Sequence, residues 1–209
     1  MSHSHGHSHD GGCSHEAIPD VPDVYRYDMC SHIDFDKVTV LNEAIDGSGK
    51  KVFKPMDRKD DKTEFVDSDC DAELLFNIPF SGHVRITGLS IVGEDNETHP
   101  ARIRIFKDKE AMSFDDCSIA ADQEIDLKMD SRGLVDYPLK ASKFGNLTHL
   151  SILVSANFGA DETRVHYIGL RGEYQHEFRQ RVAIATYEAR AQMKDHKNAI
   201  PDAVGRTLF

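Results

Sequence analysis

The chain has 209 residues and a formal net charge of −11 at pH 7, from 36 acidic and 25 basic side chains. This length predicts one domain of about 150 residues plus tails, large enough to bury a core without covalent staples. The acidity, with no run of Lys or Arg, argues against direct binding of nucleic acid or of an anionic membrane surface. No apolar run approaches the roughly 20 residues that a membrane-spanning helix needs.

Residues 1–24 contain few core-forming side chains and five of the twelve histidines, so they are predicted to be a disordered tail. Their imidazoles could bind Zn²⁺, Ni²⁺ or Cu²⁺ weakly, and the alternative is a solvated tail without a ligand. The candidate ligands are His3, His5, His7 and His9. Because the segment has no hydrophobic stretch of a signal peptide, we expect a cytoplasmic protein, with the nucleus as a further location.

The four cysteines are scattered, and no two of them form a CxxC pair. In a reducing compartment they are expected to be free thiols. Zinc sites need closely spaced ligand pairs, which this chain does not supply, and no other cofactor is predicted.

Short apolar segments with a period of two recur between turn-rich segments, which predicts an all-β, antiparallel sandwich or barrel. A slip of the apolar phase at Gly88 predicts a β-bulge. Residues 79–82 are predicted to form a turn, residues 38–41 a strand or short helix, residues 177–190 a strand or a helix, and residues 191–209 a polar tail. The predicted strands are residues 73–78, 84–92, 101–106, 124–129, 134–139, 147–155, 164–173 and 181–187.

The least generic passage is residues 147–173, which predicts two strands joined by the turn residues 157–161. A hairpin is the expected arrangement. The second of its strands is apolar in both phases, so it is expected to be buried on both faces.

Two short motifs resemble ligand-binding loops and then depart from them. Residues 46–51 resemble a phosphate-binding loop but have Ala44 and Lys51 at required positions, so a flexible turn is predicted. Residues 67–71 resemble the start of a calcium loop but lack its later Gly and Glu, so a solvated acidic edge is predicted. The histidines outside the tail lack metalloprotease spacing, and no nucleophile elbow occurs, so no enzyme activity is predicted.

A longer set of motifs resembles the PITH family, the proteasome-interacting thioredoxin domain. The motifs are residues 52–55 (VFKP), 73–80 (ELLFNIPF), 112–116 (MSFDD), 157–163 (NFGADET) and 167–173 (YIGLRGE). The resemblance covers residues 25–190 and implies a jelly-roll, galactose-binding-like β-sandwich without catalytic residues. In relatives with a thioredoxin domain this module serves to dock to the 26S proteasome, and the stand-alone type has also been linked to transcriptional control. This sequence contains no thioredoxin CxxC, so redox activity is not carried over.

The first functional hypothesis is therefore a protein-interaction module that contacts the 26S proteasome or another large assembly, with indirect effects on transcription. The candidate contact residues are Asn157, Phe158 and Asp161 on the loop, with Arg171 and Glu173 nearby. The alternative role of each is to shape the turn or to satisfy a neighbour. The alternative functions are a small-ligand or carbohydrate binder, which the absence of Trp weakens, and weak metal binding by the tail.

Overall fold

The computed structural model describes residues 27–177. The candidate histidines of the tail, Cys13, the predicted strand 181–187 and the polar C-terminal segment lie outside these residues. The strands within this range are β1 Thr39–Leu41, β2 Val66–Asp67, β3 Leu74–Gly93, β4 Pro100–Lys107, β5 Gln123–Asp126, β6 Tyr137–Pro138, β7 Leu147–Asn157 and β8 Arg164–Glu177. The helices are α1 Ala141–Phe144 and the 3₁₀ helices Cys30–His32, Gly49–Val52, Met56–Arg58 and Asp115–Ser118.

All strand pairs are antiparallel, and the hydrogen-bonded order is β2-β8-β3-β7-β4-β5, with β1 and β6 also paired to β3. The predicted all-β, galactose-binding-like sandwich is confirmed. The first part of β3 pairs with β7, and its second part pairs with β8. One long strand therefore belongs to both layers of the sandwich, and the main apolar core lies between them.

The predicted turn at residues 79–82 is wrong, because this segment continues β3. The register with β7 shifts between Pro79 and Val84, while pairing with β8 begins at Gly82. A proline has no N–H to donate to a ladder, and a glycine allows the backbone to bend. The residues that indicated a turn instead mark the point where the strand changes partner.

The predicted bulge at Gly88 is confirmed by the pairing of β3 with β8. Ile86 lies opposite Gly172 and Gly88 opposite Arg171, which leaves Thr87 as the extra residue. Such an insertion increases the local bend of the strand. The bulge also brings the Thr87 hydroxyl within 3.2 Å of the Arg171 carbonyl oxygen, to which it donates.

The predicted hairpin of residues 147–173 is wrong. β7 pairs with β3 and β4, whereas β8 pairs with β2 and β3, so the loop between them joins the two layers. Alternation of side chains establishes that a segment is a strand, but it does not identify its neighbour. The expected burial of the second strand on both faces is confirmed for Val165–Leu170.

Other sequence expectations differ from the structure in detail. Residues 39–41 form a strand, whereas the predicted strands at 124–129 and 134–139 shorten to β5 and β6. Between these strands the Asp130 carboxylate accepts hydrogen bonds from the backbone N–H groups of Arg132 (3.0 Å) and Val135 (2.7 Å), which favours a compact loop.

The turn at residues 46–51 is packed rather than flexible. The Glu43 carboxylate accepts hydrogen bonds from the backbone N–H groups of Gly47 (2.7 Å) and Gly49 (2.6 Å). A Cβ at Gly49 would lie 2.5 Å from the Val40 side chain. The glycine-rich segment is therefore occupied by a carboxylate of the chain itself.

No helix within residues 27–177 is both long and apolar enough to cross a bilayer.

Candidate functional site

The loop between β7 and β8 is held by the side chain of Asn157. Its Nδ2 donates to the carbonyl oxygens of Ala160 and Glu162, each at 2.9 Å, and its Oδ1 accepts from the Gly159 N–H at 3.0 Å. Gly159 has a φ of 128°, a conformation that favours glycine. Asn157 therefore shapes the loop, as the alternative interpretation of this residue proposed.

A second loop, between β3 and β4, supports the first one. The Phe158 N–H donates to the carbonyl oxygens of Glu97 (3.1 Å) and His99 (3.2 Å), and the Arg164 N–H donates to Thr98 (2.9 Å). We call residues 94–98 and 157–163 together the acidic rim, because they contain five carboxylates and no Lys or Arg. Backbone hydrogen bonds between the two loops make the rim a rigid surface.

Phe158 projects from the acidic rim with 39% of its surface exposed. Its ring contacts the buried ring of His99 edge-on, at a centroid separation of 5.9 Å. His99 is itself fixed, because its Nδ1 lies 2.7 Å from the Pro100 carbonyl oxygen and its Nε2 accepts the Asp130 N–H at 2.9 Å. With Nε2 as an acceptor, the proton of a neutral imidazole is on Nδ1. Phe158 is thus an exposed aromatic side chain with a preorganised backbone and a rigid support.

Glu94, the first residue of the rim, is bound to His166, whose side chain is buried beneath it. The Glu94 carboxylate lies 2.7 Å from Nε2 of His166 and 3.7 Å from Nζ of Lys62. Burial lowers the pKa of His166, and the hydrogen bond from His166 lowers the pKa of Glu94. Both shifts favour a neutral imidazole that donates to a carboxylate. Nδ1 of His166 has no partner among the described residues, which would make its protonation costly.

Arg164, the first residue of β8, fixes the base of the rim. Its guanidinium forms two hydrogen bonds of 2.7 Å with the Asp67 carboxylate and lies 4.3 Å from the centre of the Phe65 ring. This pairing raises the pKa of Arg164. The carboxylates of Glu94 and Asp67 therefore both have charged or hydrogen-bonding partners within the fold. Three rim carboxylates have no cationic partner within residues 27–177, namely Asp95, Glu97 and Asp161. Glu162 forms no salt bridge, but its charge helps to raise the pKa of Arg164.

The structure does not bring Arg171 and Glu173 to this loop. Seven residues of β8 separate Arg164 from Arg171, which is about 23 Å at roughly 3.3 Å per residue. The Arg171 guanidinium pairs with Asp136 (Nη2 to Oδ2, 2.6 Å), and Glu173 lies 3.7 Å from Arg85. The expectation that the five candidate residues form one cluster is wrong, because the second strand runs away from the loop.

Arg171 instead lines a cleft with Tyr27, Asp28 and Met56. The sequence pattern did not identify these three residues. They lie in irregular segments, and their only sequence signal was that Tyr27 is an aromatic residue in a polar stretch. Their proximity to β8 depends on tertiary contacts between residues far apart in the chain.

Two further histidines of the described residues each lie beside a polar side chain. His83 lies 2.9 Å from Asn146 and His149 lies 3.0 Å from Thr148, side chain to side chain. Cys30, Cys70 and Cys117 are free thiols, as predicted, and burial raises the pKa of Cys30 to about 11. A thiol with this pKa is a poor nucleophile at neutral pH.

The described residues form a galactose-binding-like β-sandwich that carries a rigid acidic rim at the end of its long strands. The family model of the PITH domain matches residues 20–191, and the chain belongs to this family of protein-interaction modules. It is 73% identical to the PITH domain-containing protein ZK353.9 of Caenorhabditis elegans, over 99% of both chains. It is 50% identical to PITH domain-containing protein 1 of Xenopus laevis, over 93% of this chain and 94% of the relative.

The fold is also similar to a solved structure of the CBM32-1 and CBM32-2 domains of Clostridium perfringens ZmpB in complex with GalNAc. The TM-score is 0.52 at 9% sequence identity, and the match covers 73% of this chain and 38% of that chain. At this identity the likeness concerns the fold alone.

Proposed function

We propose that this PITH domain is a non-catalytic docking module and that the acidic rim, with Phe158 at its centre, contacts the partner. One observation carries the proposal: an exposed aromatic ring stands on a rigid loop of the rim, and three of the five rim carboxylates have no cationic partner among the described residues. Aromatic side chains at the centre of a contact surface contribute much of the binding energy in protein interfaces.

The geometry favours binding for two physical reasons. The hydrogen bonds of Asn157 and Phe158 already order the loop, so little conformational entropy is lost on association. The carboxylates around the ring would attract a partner surface with basic side chains and increase the rate of association. The partner surface that fits is therefore an apolar pocket with Lys or Arg at its edge.

The 26S proteasome is the first partner to test, because of the resemblance to thioredoxin-bearing members of the family. A location in the cytoplasm or the nucleus would be compatible with this partner. Effects on transcription would then follow indirectly from docking, since the acidic chain is unsuited to bind DNA itself.

The test is capture of purified 26S proteasome by the immobilised full chain at low salt. We expect Phe158→Ala to reduce the affinity at least tenfold, because it removes the aromatic anchor. We expect Asp161→Lys to slow association and to weaken its dependence on salt. Failure of the parent chain to capture proteasome under these conditions would overturn the proteasome assignment.

Phe35→Ala is the matched control, because Phe35 is 38% exposed, close to the 39% of Phe158. It follows Ile33, which pairs with Phe80 in the middle of β3, whereas the rim begins beyond the end of that strand. Equal losses of affinity for the two variants would exclude the rim as the contact.

Binding of a carbohydrate is the alternative to be tested beside it. The ZmpB structure contains GalNAc, but the likeness to this chain concerns only the fold. We expect GalNAc and galactose to leave the thermal unfolding midpoint of the chain unchanged. A clear stabilisation by either sugar would favour the ligand-binding function over docking.

A further inference from the structure

The second surface feature is a cleft on the β8 side of the sandwich, separate from the acidic rim. The segment of residues 27–33 lies along β8: the Met29 N–H donates to the Leu170 carbonyl (3.0 Å), and the Gly172 N–H donates to the Tyr27 carbonyl (2.8 Å). Beside this segment lies a small cleft of about 40 Å³ that is open to solvent. We call it the strap cleft. The residues used below are Tyr27, Asp28, Met56, Asp136, Tyr167 and Arg171, all of which line it.

Two glycines create the space for the cleft and for its charged edge. A Cβ at Gly169 would collide with the ring of Tyr167, which forms the floor. A Cβ at Gly88 would lie 2.5 Å from Nη2 of Arg171 and 3.0 Å from Oδ1 of Asp136. The absence of these two side chains thus lets an aromatic ring and an ion pair lie against the sheet.

The strap cleft carries more negative than positive charge. Arg171 is the one cation among its lining residues, and Asp136 pairs with it at 2.6 Å. The Asp28 carboxylate accepts hydrogen bonds only from backbone, the N–H groups of Cys30 (3.0 Å) and Met56 (2.9 Å), and has no cationic partner in residues 27–177. Burial raises the pKa of Tyr167, and nearby carboxylates, chiefly Asp28, raise it further. The field within the cleft therefore favours a cation.

The walls of the strap cleft are apolar and aromatic. Tyr27 is 43% exposed at its mouth, and Met56 is half-buried beside it. A Lys or Arg side chain has the complementary chemistry, because its aliphatic part can contact the thioether while its charged end meets an aromatic face and a carboxylate. An anion would be repelled by the net negative charge, and a neutral polyol would lack the charge attraction and the aliphatic contact that a Lys or Arg side chain offers.

We propose that the strap cleft binds a Lys or Arg side chain of a protein partner, between the Tyr27 ring and the Asp28 carboxylate. This contact is independent of the acidic rim and goes beyond the proposed function of that surface. A partner that engaged both surfaces would present an apolar pocket to Phe158 and a basic side chain to the cleft. Both contacts would then contribute to the affinity for that one partner.

The test uses the ¹H–¹⁵N NMR spectrum of the full chain, titrated with acetyl-arginine amide and with acetyl-citrulline amide. Citrulline has nearly the same shape as arginine but no charge. We expect the arginine compound to shift the amide signals of Met29, Met56 and Leu170, and the citrulline compound to leave them in place. Added salt is expected to reduce the arginine response, because the attraction is electrostatic.

Variants separate the contributions of the ring and of the rim. Tyr27→Ala is expected to weaken binding of the arginine compound roughly 2- to 5-fold, the size of an exposed cation–π contact, whereas Tyr27→Phe keeps the ring and retains the affinity. Phe158→Ala is expected to leave the titration unchanged, even if it abolishes capture of the proteasome.

Three results would overturn the proposal. They are equal shifts with the citrulline compound, arginine-induced shifts only at residues outside the strap cleft, and a shift of the cleft signals by galactose instead of arginine. All three come from titrations of the parent chain, so the test remains decisive even if Tyr27→Ala does not fold.

Discussion

The acidic rim and the strap cleft lie at different positions along β8 and are built in contrasting ways. The rim consists of two loops that hydrogen-bond to each other and leave carboxylates without cationic partners among the described residues. The cleft forms where one irregular segment is hydrogen-bonded along β8, and glycines of the sheet leave room there for an aromatic ring and an ion pair. The rim thus carries exposed side chains on a fixed backbone, whereas the cleft depends on Gly169, where an added Cβ would collide with the Tyr167 ring.

The largest expected effect on stability comes from replacing a glycine by alanine beside the cleft, compared with the same replacement in the rim. A Cβ at Gly172, beside the cleft, would collide with the Arg85 carbonyl on the paired strand, whereas a Cβ at Gly159, in the rim, would meet nothing. We expect Gly172→Ala to lower the free energy of unfolding by about 3 kcal/mol or more. Gly159→Ala should cost about 1–2 kcal/mol, because only its φ of 128° opposes the substitution. Urea unfolding of both variants measures the difference, and equal losses would contradict the contrast.

The next effect concerns the hydrogen bonds that order the rim. Asn157→Ala removes the amide that bonds three backbone groups of the loop, and we expect a loss of about 1–2 kcal/mol in the free energy of unfolding. It should also weaken partner binding, because the Phe158 backbone loses its preorganisation. Asn96→Ala is the control, since the Asn96 side chain accepts hydrogen bonds only from Thr98, at 2.8 and 2.7 Å. A larger loss for Asn96→Ala than for Asn157→Ala would place the organising residue in the other loop.

A smaller effect should appear as a pH dependence beneath the rim. Burial lowers the pKa of folded His166 from 6.5, so the unfolded state binds the proton more tightly. The stability is therefore complete above about pH 6.5 and falls as the pH decreases below it, by at most about 1.4 kcal/mol per pH unit. Denaturant unfolding between pH 7.5 and 5.5 checks this.

The His166→Gln variant should lose less unfolding free energy than the parent chain between pH 7.5 and pH 5.5, whatever its unfolding free energy at pH 7.5. His32, whose pKa burial also lowers, would account for a residual slope. A profile as steep as that of the parent chain would show that His166 is not the group responsible.

The smallest effect on stability is expected at the edge of the strap cleft. Arg171 and Asp136 are 44% and 51% exposed, and ion pairs with this exposure contribute about 0–1 kcal/mol. Arg171→Gln should therefore change the unfolding free energy by less than about 1 kcal/mol. Because it removes the cation from the cleft, it should increase the affinity for acetyl-arginine amide. Unchanged or weaker affinity in the NMR titration would contradict the charge argument.

Local patterns in the sequence predicted much of the strand content and the bulge at Gly88, because side-chain alternation and its interruption are local properties. They did not predict that residues 79–82 continue a strand, since Pro79 and Gly82 indicate a turn when the change of partner is unknown. Phe158 could be nominated from the turn residues beside it. The cleft could not, because Tyr27 and Leu170 are adjacent only in the folded chain.

The sequence by itself determined the all-β class, the burial of residues 165–170 of β8 on both faces and the position of the loop that carries Phe158. It also identified the family, through motifs spread along the chain. Only the tertiary structure decided which strands pair, that Arg171 lies far from the 157–161 loop, and that a cleft forms beside it. The physical reason is that hydrophobic periodicity records which side chains face the core, whereas strand partners and clefts are set by contacts between segments distant in sequence.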